Sequence, residues 1–286
     1  MKYLDNENSR DITFNLALEE YVVRNLDPDD EGYLLLYENE PAVVMGKHQN
    51  PLLEMNQDFI DENSIRVSRR ISGGGTVYHD EKNLNFSYIT KFDNRKIHNF
   101  AEFTRPITAF LKKIGIESNL DDRSNILVKG LKISGNAQFS NTKHMISHGT
   151  LLFDSNLDMM RGSLKADKTG IVKTHAVRSI PSSVTNIIEH LSTEMDYEEF
   201  KEGVKNAIVE GRNEGVYRLS DDEREKIELL AKEKYTNWEW VYGRTPPFDL
   251  RGDGTEIITI RNYSVEKSSL SSSNEHFISD FGIKIV

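Results

Sequence analysis

Three consecutive glycines, Gly73-Gly74-Gly75, constrain this chain more than any other feature. Such a run lets the backbone turn through positive φ and brings bare N–H groups against a ligand. The segments on either side, Ile65 to Arg69 and Leu84 to Tyr88, alternate apolar and polar residues as half-buried strands do. The triplet is therefore expected to be a loop held between two sheet elements. Arg69-Arg70 precede it and Tyr78-His79-Asp80 follow it. A glycine run alone most often serves turn geometry. The arginines, which can hold a carboxylate or phosphate by forked hydrogen bonds, tilt the balance toward an anion site. The spacing matches neither Gly-x-x-x-x-Gly-Lys-Ser/Thr nor Gly-x-Gly-x-x-Gly, which disfavours a P-loop or dinucleotide fold.

Around that loop the chain is mixed. Phe14, Leu18, Tyr21 and Val22 recur at helical spacing behind a candidate cap, Asp11. Tyr33 to Tyr37 and Ala42 to Met45 are short apolar runs that look like a strand pair. Phe103, Ile107, Phe110, Leu111 and Ile114 share a helical face, with Pro106 fitting best near a helix start or kink. Ile126-Leu127-Val128 and Leu131-Lys132-Ile133 flank Lys129-Gly130, a candidate hairpin turn, and Gly149 to Phe153 is a further apolar run. Asp196 with Glu199, and Ser220 with Glu223, have the spacing of helix-start caps. The fold class expected is α/β in the α+β sense, a mixed β-sheet with flanking helices.

A boundary is expected after Gly243, where Arg244-Thr245-Pro246-Pro247 breaks regular structure. It divides the chain into a main domain, 1–243, and a segment, 244–286, that is too short to bury much core alone and should pack on the main domain. Within that segment Ile257 to Ile260 and Phe277 to Ile278 are strand-like, and Ser268 to Ser273 is polar and expected to be mobile.

Composition narrows the chemistry. The chain has 286 residues and no cysteine, so disulfides, thiolate metal sites and enzyme thioesters are all excluded. A formal charge of −10 argues against a sequence-independent nucleic-acid binder. No apolar run approaches the length that crosses a bilayer. Met1 to Glu7 lack the basic start and apolar core of a signal peptide, so a cytoplasmic location is expected.

Three further segments could carry function. Lys132 projects to the opposite sheet face from Leu131 and Ile133. It reads either as a solvated surface residue or as a fixed ammonium for an α-phosphate and a departing pyrophosphate. His148 has no metal partner at ligand spacing, which favours a structural or substrate-positioning role. Between Arg161 and Arg178 lie Arg161, Lys165, Lys168, Lys173 and Arg178 against only Asp167, either a solvated basic loop or a lid over anionic substrates.

Taken in order, these segments resemble the lipoate–protein ligase A family. The resemblance rests on Arg-Arg-x-Ser-Gly-Gly-Gly-x-Val-Tyr-His-Asp at 69–80, Asn83-Leu84-Asn85-Phe86-Ser87, and Lys132-Ile133-Ser134-Gly135-Asn136-Ala137. It continues through His148-Gly149-Thr150-Leu151, Val177-Arg178-Ser179 and Val184-Thr185-Asn186 to Trp-x-Trp-x-Tyr-Gly at 238–243. Each piece alone is weak, but the combination is specific. It implies a fold shared with biotin protein ligases and related to class II aminoacyl-tRNA synthetases.

The resemblance also implies a two-step reaction, in which ATP and lipoate form lipoyl-AMP and an acceptor lysine then takes the lipoyl group. The implied adenylate contacts are Arg70, Gly75, Thr76, Val77, Tyr78, Lys132 and Arg178. The implied lipoyl site holds Gly73, Gly74, Gly75, His79, Lys132 and His148, with Lys132 serving both substrates as the catalytic residue. Residues 168–185 look like the family's adenylate-binding loop. Mg2+ is expected with the triphosphate, with Asp122 and Asn125 as candidate ligands. The acceptors implied are lipoyl-domain proteins, either 2-oxo-acid dehydrogenase E2 subunits or the glycine-cleavage H protein, with no nucleic-acid or membrane partner. Two-domain members carry an accessory domain longer than 244–286, so this segment reads as a truncated remnant. The rivals are an octanoyl or lipoyl transferase of the same fold, whose cysteine is missing here, and a non-catalytic lipoate-binding protein. A biotin ligase is disfavoured because its Gly-Arg-Gly-Arg-type loop is absent.

Overall fold

The computed structural model describes residues 1–28, 32–164, 170–210, 215–252, 256–270 and 272–286. Lys165, Asp167 and Lys168 of the basic segment lie outside the described residues.

A mixed six-stranded sheet organises the molecule. Its order is Asn136–Ser140, His144–Leu152, Asn83–Lys91, Tyr33–Tyr37, Lys2–Leu4 and Gly215–Tyr217. The first four strands run antiparallel to their neighbours, and the last three are parallel. Tyr33–Tyr37 is buried throughout because its alternate side chains enter two different cores. Leu34 and Leu36 join Phe86 and Tyr88 beneath the helices Phe100–Lys113 and Tyr197–Val209. Tyr33, Leu35 and Tyr37 join the helix Ile12–Asn25 on the other face. That helix starts where Asp11 accepts the Thr13 N–H, and it buries both flanks because the helix Asp221–Leu230 covers its outer side.

Several sequence expectations change on contact with this architecture. Tyr33–Tyr37 and Ala42–Met45 do not pair with each other, since both edges of the first are taken by Asn83–Lys91 and Lys2–Leu4. Ala42–Met45 instead centres a second sheet, parallel to Arg66–Arg69 and antiparallel to Val77–His79. The buried Asn39, held by Asn15, turns the chain from one sheet to the other. Pro106 lies inside Phe100–Lys113, on its partly exposed side, rather than at its start. Phe277 and Ile278 fall in a helix, Ser272–Asp280, whose buried Asn274 and Ile278 are one turn apart. Ser271 lies outside the described residues, and the rest of 268–273 belongs largely to the turn Lys267–Ser269 and the start of that helix.

The local expectations at the helix caps and the hairpin hold. Both capping boxes form, at Asp196 with Glu199 and at Ser220 with Glu223. Ile126–Val128 and Leu131–Ser134 form a hairpin whose turn residues Lys129 and Gly130 have φ of 50° and 80°. Positive φ at both central positions is what a two-residue turn of matching twist requires. Residues beyond Gly243 build a small core from Phe248, Leu250, Ile258, Ile260 and Ile278. Its sheet is completed by Ile171–Thr174, which pairs with Phe248–Arg251. No helix among the described residues is long and apolar enough to cross a membrane.

Candidate active site

A cleft of about 310 Å³ lies where the glycine loop, the six-stranded sheet and the segment 177–182 meet. Burial divides it into two ends. Leu16, Tyr37, Val44 and His79 wall an inner end and are nearly inaccessible to solvent. Arg123, Arg178 and Ser182 form an exposed, cation-bearing mouth.

Lys132 stands between these regions on the hairpin strand. Its ammonium makes no hydrogen bond or ion pair with any described residue. Burial lowers its pKa, opposed by the nearby Asp121 carboxylate and reinforced by Arg70 and Arg123. The Lys132 backbone is fixed by residues 183–185, because its N–H donates to Ser183 O at 2.9 Å and its carbonyl accepts from Thr185 at 3.1 Å. The Val-Thr-Asn segment therefore braces the lysine strand. Asn186 anchors it in turn through paired bonds to the Ser155 backbone, at 3.0 and 2.9 Å.

The two arginines have different positions, as strand alternation demands. Arg69 is fully buried away from the cleft, donating to the carbonyls of Val241, Gly46 and Gln49 at 2.7, 3.0 and 2.9 Å. Trp240 Nε1 returns a bond to Arg69 O at 2.6 Å, so the Trp-x-Trp segment locks this strand in place. Arg69 is not an anion clamp. Arg70 does line the cleft, yet four of its donor contacts shape the loop: Ser72 Oγ at 3.0 Å, Val44 O at 3.0 Å, Gly73 O at 2.6 Å and Gly75 O at 2.7 Å. Burial pulls Arg70 down to about 10, partly offset by Glu19 and Tyr37, and it stays cationic at neutral pH. Of the three loop glycines only Gly74 has positive φ, at 87°.

Gly74, Gly75, Thr76, Val77, His79, Lys132, His148 and Arg178 all border the cleft. Tyr78 does not. The alternation that aims Val77 and His79 inward sends its ring into a separate core with Val43, Met45 and Met55. Gly73 is present through its carbonyl, which holds Arg70. Asn125 borders the cleft, with its Nδ2 donating to Asp121 at 2.9 Å, while Asp122 is exposed and lies away from the cleft lining. Among the described residues, no group of three His, Asp or Glu side chains is disposed to hold a metal ion.

Two networks escape sequence inspection. His148 Nε2 meets Ser72 Oγ at 2.7 Å, while its Nδ1 lies 3.0 Å from buried Glu19. Glu19 fixes the ring, and the ring fixes the serine that contacts Arg70. The second network latches the segment 177–182 to the loop. Ser179 Oγ accepts from Thr76 N and from Gln49 Nε2, both at 3.0 Å, and donates to Glu54. Gln49 also accepts from the Thr76 hydroxyl at 2.8 Å. The one sequence signal was the adjacent pair Glu19-Glu20 on a helix otherwise rich in apolar residues, and it does not tell the two apart.

A mixed sheet bearing a cleft with a buried inner end, where Leu16, Tyr37 and Val44 stand beside Arg70, His79, Asn85 and His148, an ammonium without a partner among the described residues and a cationic mouth suits an enzyme that joins a carboxylic acid to a phosphorylated partner. The family model for the lipoyl protein ligase A/B catalytic domain matches residues 11–209, and the chain belongs to that family. Within it the chain is a lipoate–protein ligase, as its relatives indicate. It is 46% identical over 253 residues to lipoate-protein ligase LplJ of Bacillus subtilis, covering 87% of this chain and 76% of that protein. It is 44% identical over 249 residues to lipoate–protein ligase 1 of Staphylococcus aureus, covering 87% and 75%.

Solved structures agree on the fold. A T. acidophilum structure described as a lipoate protein ligase with bound lipoic acid superposes with a TM-score of 0.73 at 22% identity, covering 85% of this chain and 99% of that one. A lipoate-protein ligase A bound with ATP gives 0.68 at 23% identity, covering 84% and 95%.

Proposed function

We propose that this cleft orients lipoate and ATP around Lys132, and that residues 1–243 carry the reaction. The observation behind this assignment is the Lys132 ammonium, without a partner among the described residues and set between the buried inner end and the cationic mouth. A partly buried cation without a partner is less favourable than a solvated one unless a ligand supplies the counter-charge. The aliphatic part of lipoate occupies the inner end, and its carboxylate meets Lys132. The triphosphate lies toward Arg123 and Arg178.

In the first step a carboxylate oxygen attacks the α-phosphorus. The new O–P bond forms as the bond to the bridging oxygen breaks and pyrophosphate departs. Lys132 stabilises charge on the carboxylate and on the α-phosphoryl oxygens. In the second step the acceptor lysine's neutral amine attacks the acyl carbon, AMP leaves, and the amine loses a proton. No protein nucleophile is needed, which suits a chain without cysteine. Arg70 acts by shaping the glycine loop, and Ser179 holds the covering segment 177–182 against it.

Among the described residues Mg2+ finds no dedicated cage. The Asp121 carboxylate already accepts from Asn125 Nδ2 and the backbone N–H groups of Arg123 and Asn125. The ion fits best as a companion of the triphosphate that keeps most of its water. The acceptors in this reading are lipoyl-domain proteins, namely E2 subunits of 2-oxo-acid dehydrogenases or the H protein, modified in the cytoplasm.

The test is lipoate-dependent exchange of pyrophosphate into ATP. Wild-type protein should catalyse it, and Lys132→Ala should lose on the order of a hundredfold or more while staying folded. Normal exchange in that variant would remove Lys132 from the mechanism.

A further inference from the structure

Positive charge gathers on one side of the covering segment, outside the cleft lining. The fully buried Arg69 sets this up. Its guanidinium donates to the carbonyls of Gly46 and Gln49 at 3.0 and 2.9 Å and to Thr245 Oγ1 at 3.2 Å, which staples the loop 46–49 to the start of the segment 244–286. Lys47 and His48 on that loop therefore stand near Arg244. The covering segment closes the third side. Val177 N–H donates to His48 O at 3.0 Å, and just ahead of it His175 N–H donates to Pro247 O at 3.4 Å. Arg178 continues the row to the mouth of the cleft.

Among the described residues, Lys47, Arg178 and Arg244 make no ion pair. Arg244 instead faces the Trp240 ring, 5.9 Å from its centroid. Burial lowers the His48 pKa, and the charges that add to this effect, Lys47, Arg244 and Arg69, are all positive. The chain as a whole has 46 Asp and Glu against 36 Lys and Arg, so a rim of one positive sign contrasts with its own background. Lys47 and Arg244 do not line the cleft, so they are not contacts for a triphosphate bound within it. Val177 and Ile180, 51% and 61% exposed on the covering segment, add apolar surface of the kind an interface covers.

We propose that this rim docks the acceptor protein, through carboxylates that flank the acceptor's target lysine. The inference rests on the two-step reading above and adds what the acceptor must carry. A lysine that approaches a mouth lined by Arg123 and Arg178 meets like charge. Carboxylates beside it on the acceptor remove that repulsion and find their counter-charges in Lys47 and Arg244. The rest of the surface is acidic in balance and repels such a partner, so attraction is confined to the face where the lysine can enter. Each exposed pair is weak and screened by salt, so the rim acts on encounter and orientation rather than on the chemical step. Lys47 and Arg244 touch neither lipoate nor ATP in this arrangement.

The test separates the two half-reactions in a double variant, Lys47→Glu with Arg244→Glu. Lipoate-dependent pyrophosphate exchange needs no acceptor, and it should keep its rate and its KM for ATP, which also reports that the variant folds. The KM for a lipoyl-domain acceptor should rise roughly tenfold with kcat retained. In wild-type protein, kcat/KM for the acceptor should fall steeply as salt is raised to the physiological range, and the variant should flatten that dependence. An unchanged acceptor KM would overturn the proposal. So would a folded variant whose exchange falls in step with transfer, since the cations would then serve ATP. Should the reversed-charge protein fail to fold, Lys47→Gln with Arg244→Gln takes its place, with an expected rise in acceptor KM of about threefold. Wild-type protein that exchanges pyrophosphate but modifies no acceptor would instead refute the transfer step on which the docking reading rests.

Discussion

Among the described residues, neither the Lys132 ammonium nor the His79 Nε2 finds the partner that it would have in water. For Lys132 the cost is electrostatic, because burial and the charges of Arg70 and Arg123 disfavour its protonated form. Lys132→Ala should therefore leave thermal stability unchanged or raise it while abolishing exchange, as expected where function requires an unfavourable group. A melting temperature several degrees lower would mean that Lys132 has a structural role. For His79 the cost depends on pH. Its folded pKa of about 3 lies below the ordinary 6.5, so between these values the unfolded chain binds a proton that the folded chain does not. This residue's contribution is intact above pH 6.5 and is lost as pH falls toward 3, at on the order of 1 kcal/mol per pH unit. Denaturant titrations should show a flatter acid limb for His79→Leu than for wild type. Parallel limbs would contradict the buried, neutral ring.

Among the elements, the covering segment is the one whose attachment can be dissected. Ser179→Ala removes the bonds from Thr76 N and Gln49 Nε2, together with the one to Glu54. Burial already raises the Glu54 pKa, and losing the serine hydroxyl removes one of the bonds that oppose this while the Ser179 N–H continues to donate to Glu54. Amide exchange at Thr76 should quicken on the order of tenfold, with exchange in Asn83–Lys91 unchanged. Equal protection in both proteins would show that this latch does not hold the loop.

How much of this was legible depended on the distance between partners. The hairpin, the helix caps and the loop between strands follow from local rules, and sequence alone places them. Val77 and His79 facing one way with Tyr78 facing the other also follows from strand alternation, although the motif treats all three as contacts. Glu19 with His148 and Glu54 with Ser179 were out of reach, because 129 and 125 residues separate the partners. The same holds for Arg69, whose role is defined by Val241, 172 residues away.

At the scale of the molecule, two cores share one sheet and the cleft forms where a second sheet folds against it. Sequence patterning conveyed the mixed class but not the separation of Tyr33–Tyr37 from Ala42–Met45, which depends on competition for strand edges. The segment 244–286 joins the design by pairing Phe248–Arg251 with Ile171–Thr174, just ahead of the covering segment. Leu250 is fully buried in that small core. Leu250→Ala should cost about 2–5 kcal/mol locally. It should speed amide exchange in 171–174 while leaving the six-stranded sheet protected. Uniform loss of protection would mean that the two parts unfold as one unit.

The cleft must deliver an adenylated acid to an acceptor. Intact-mass spectrometry of a lipoyl-domain protein after incubation with this enzyme, lipoate and ATP is the most direct measurement. The predicted result is one added lipoyl amide on a lysine, requiring both small molecules and absent with Lys132→Ala. An unmodified acceptor, or modification that proceeds without ATP, would contradict it.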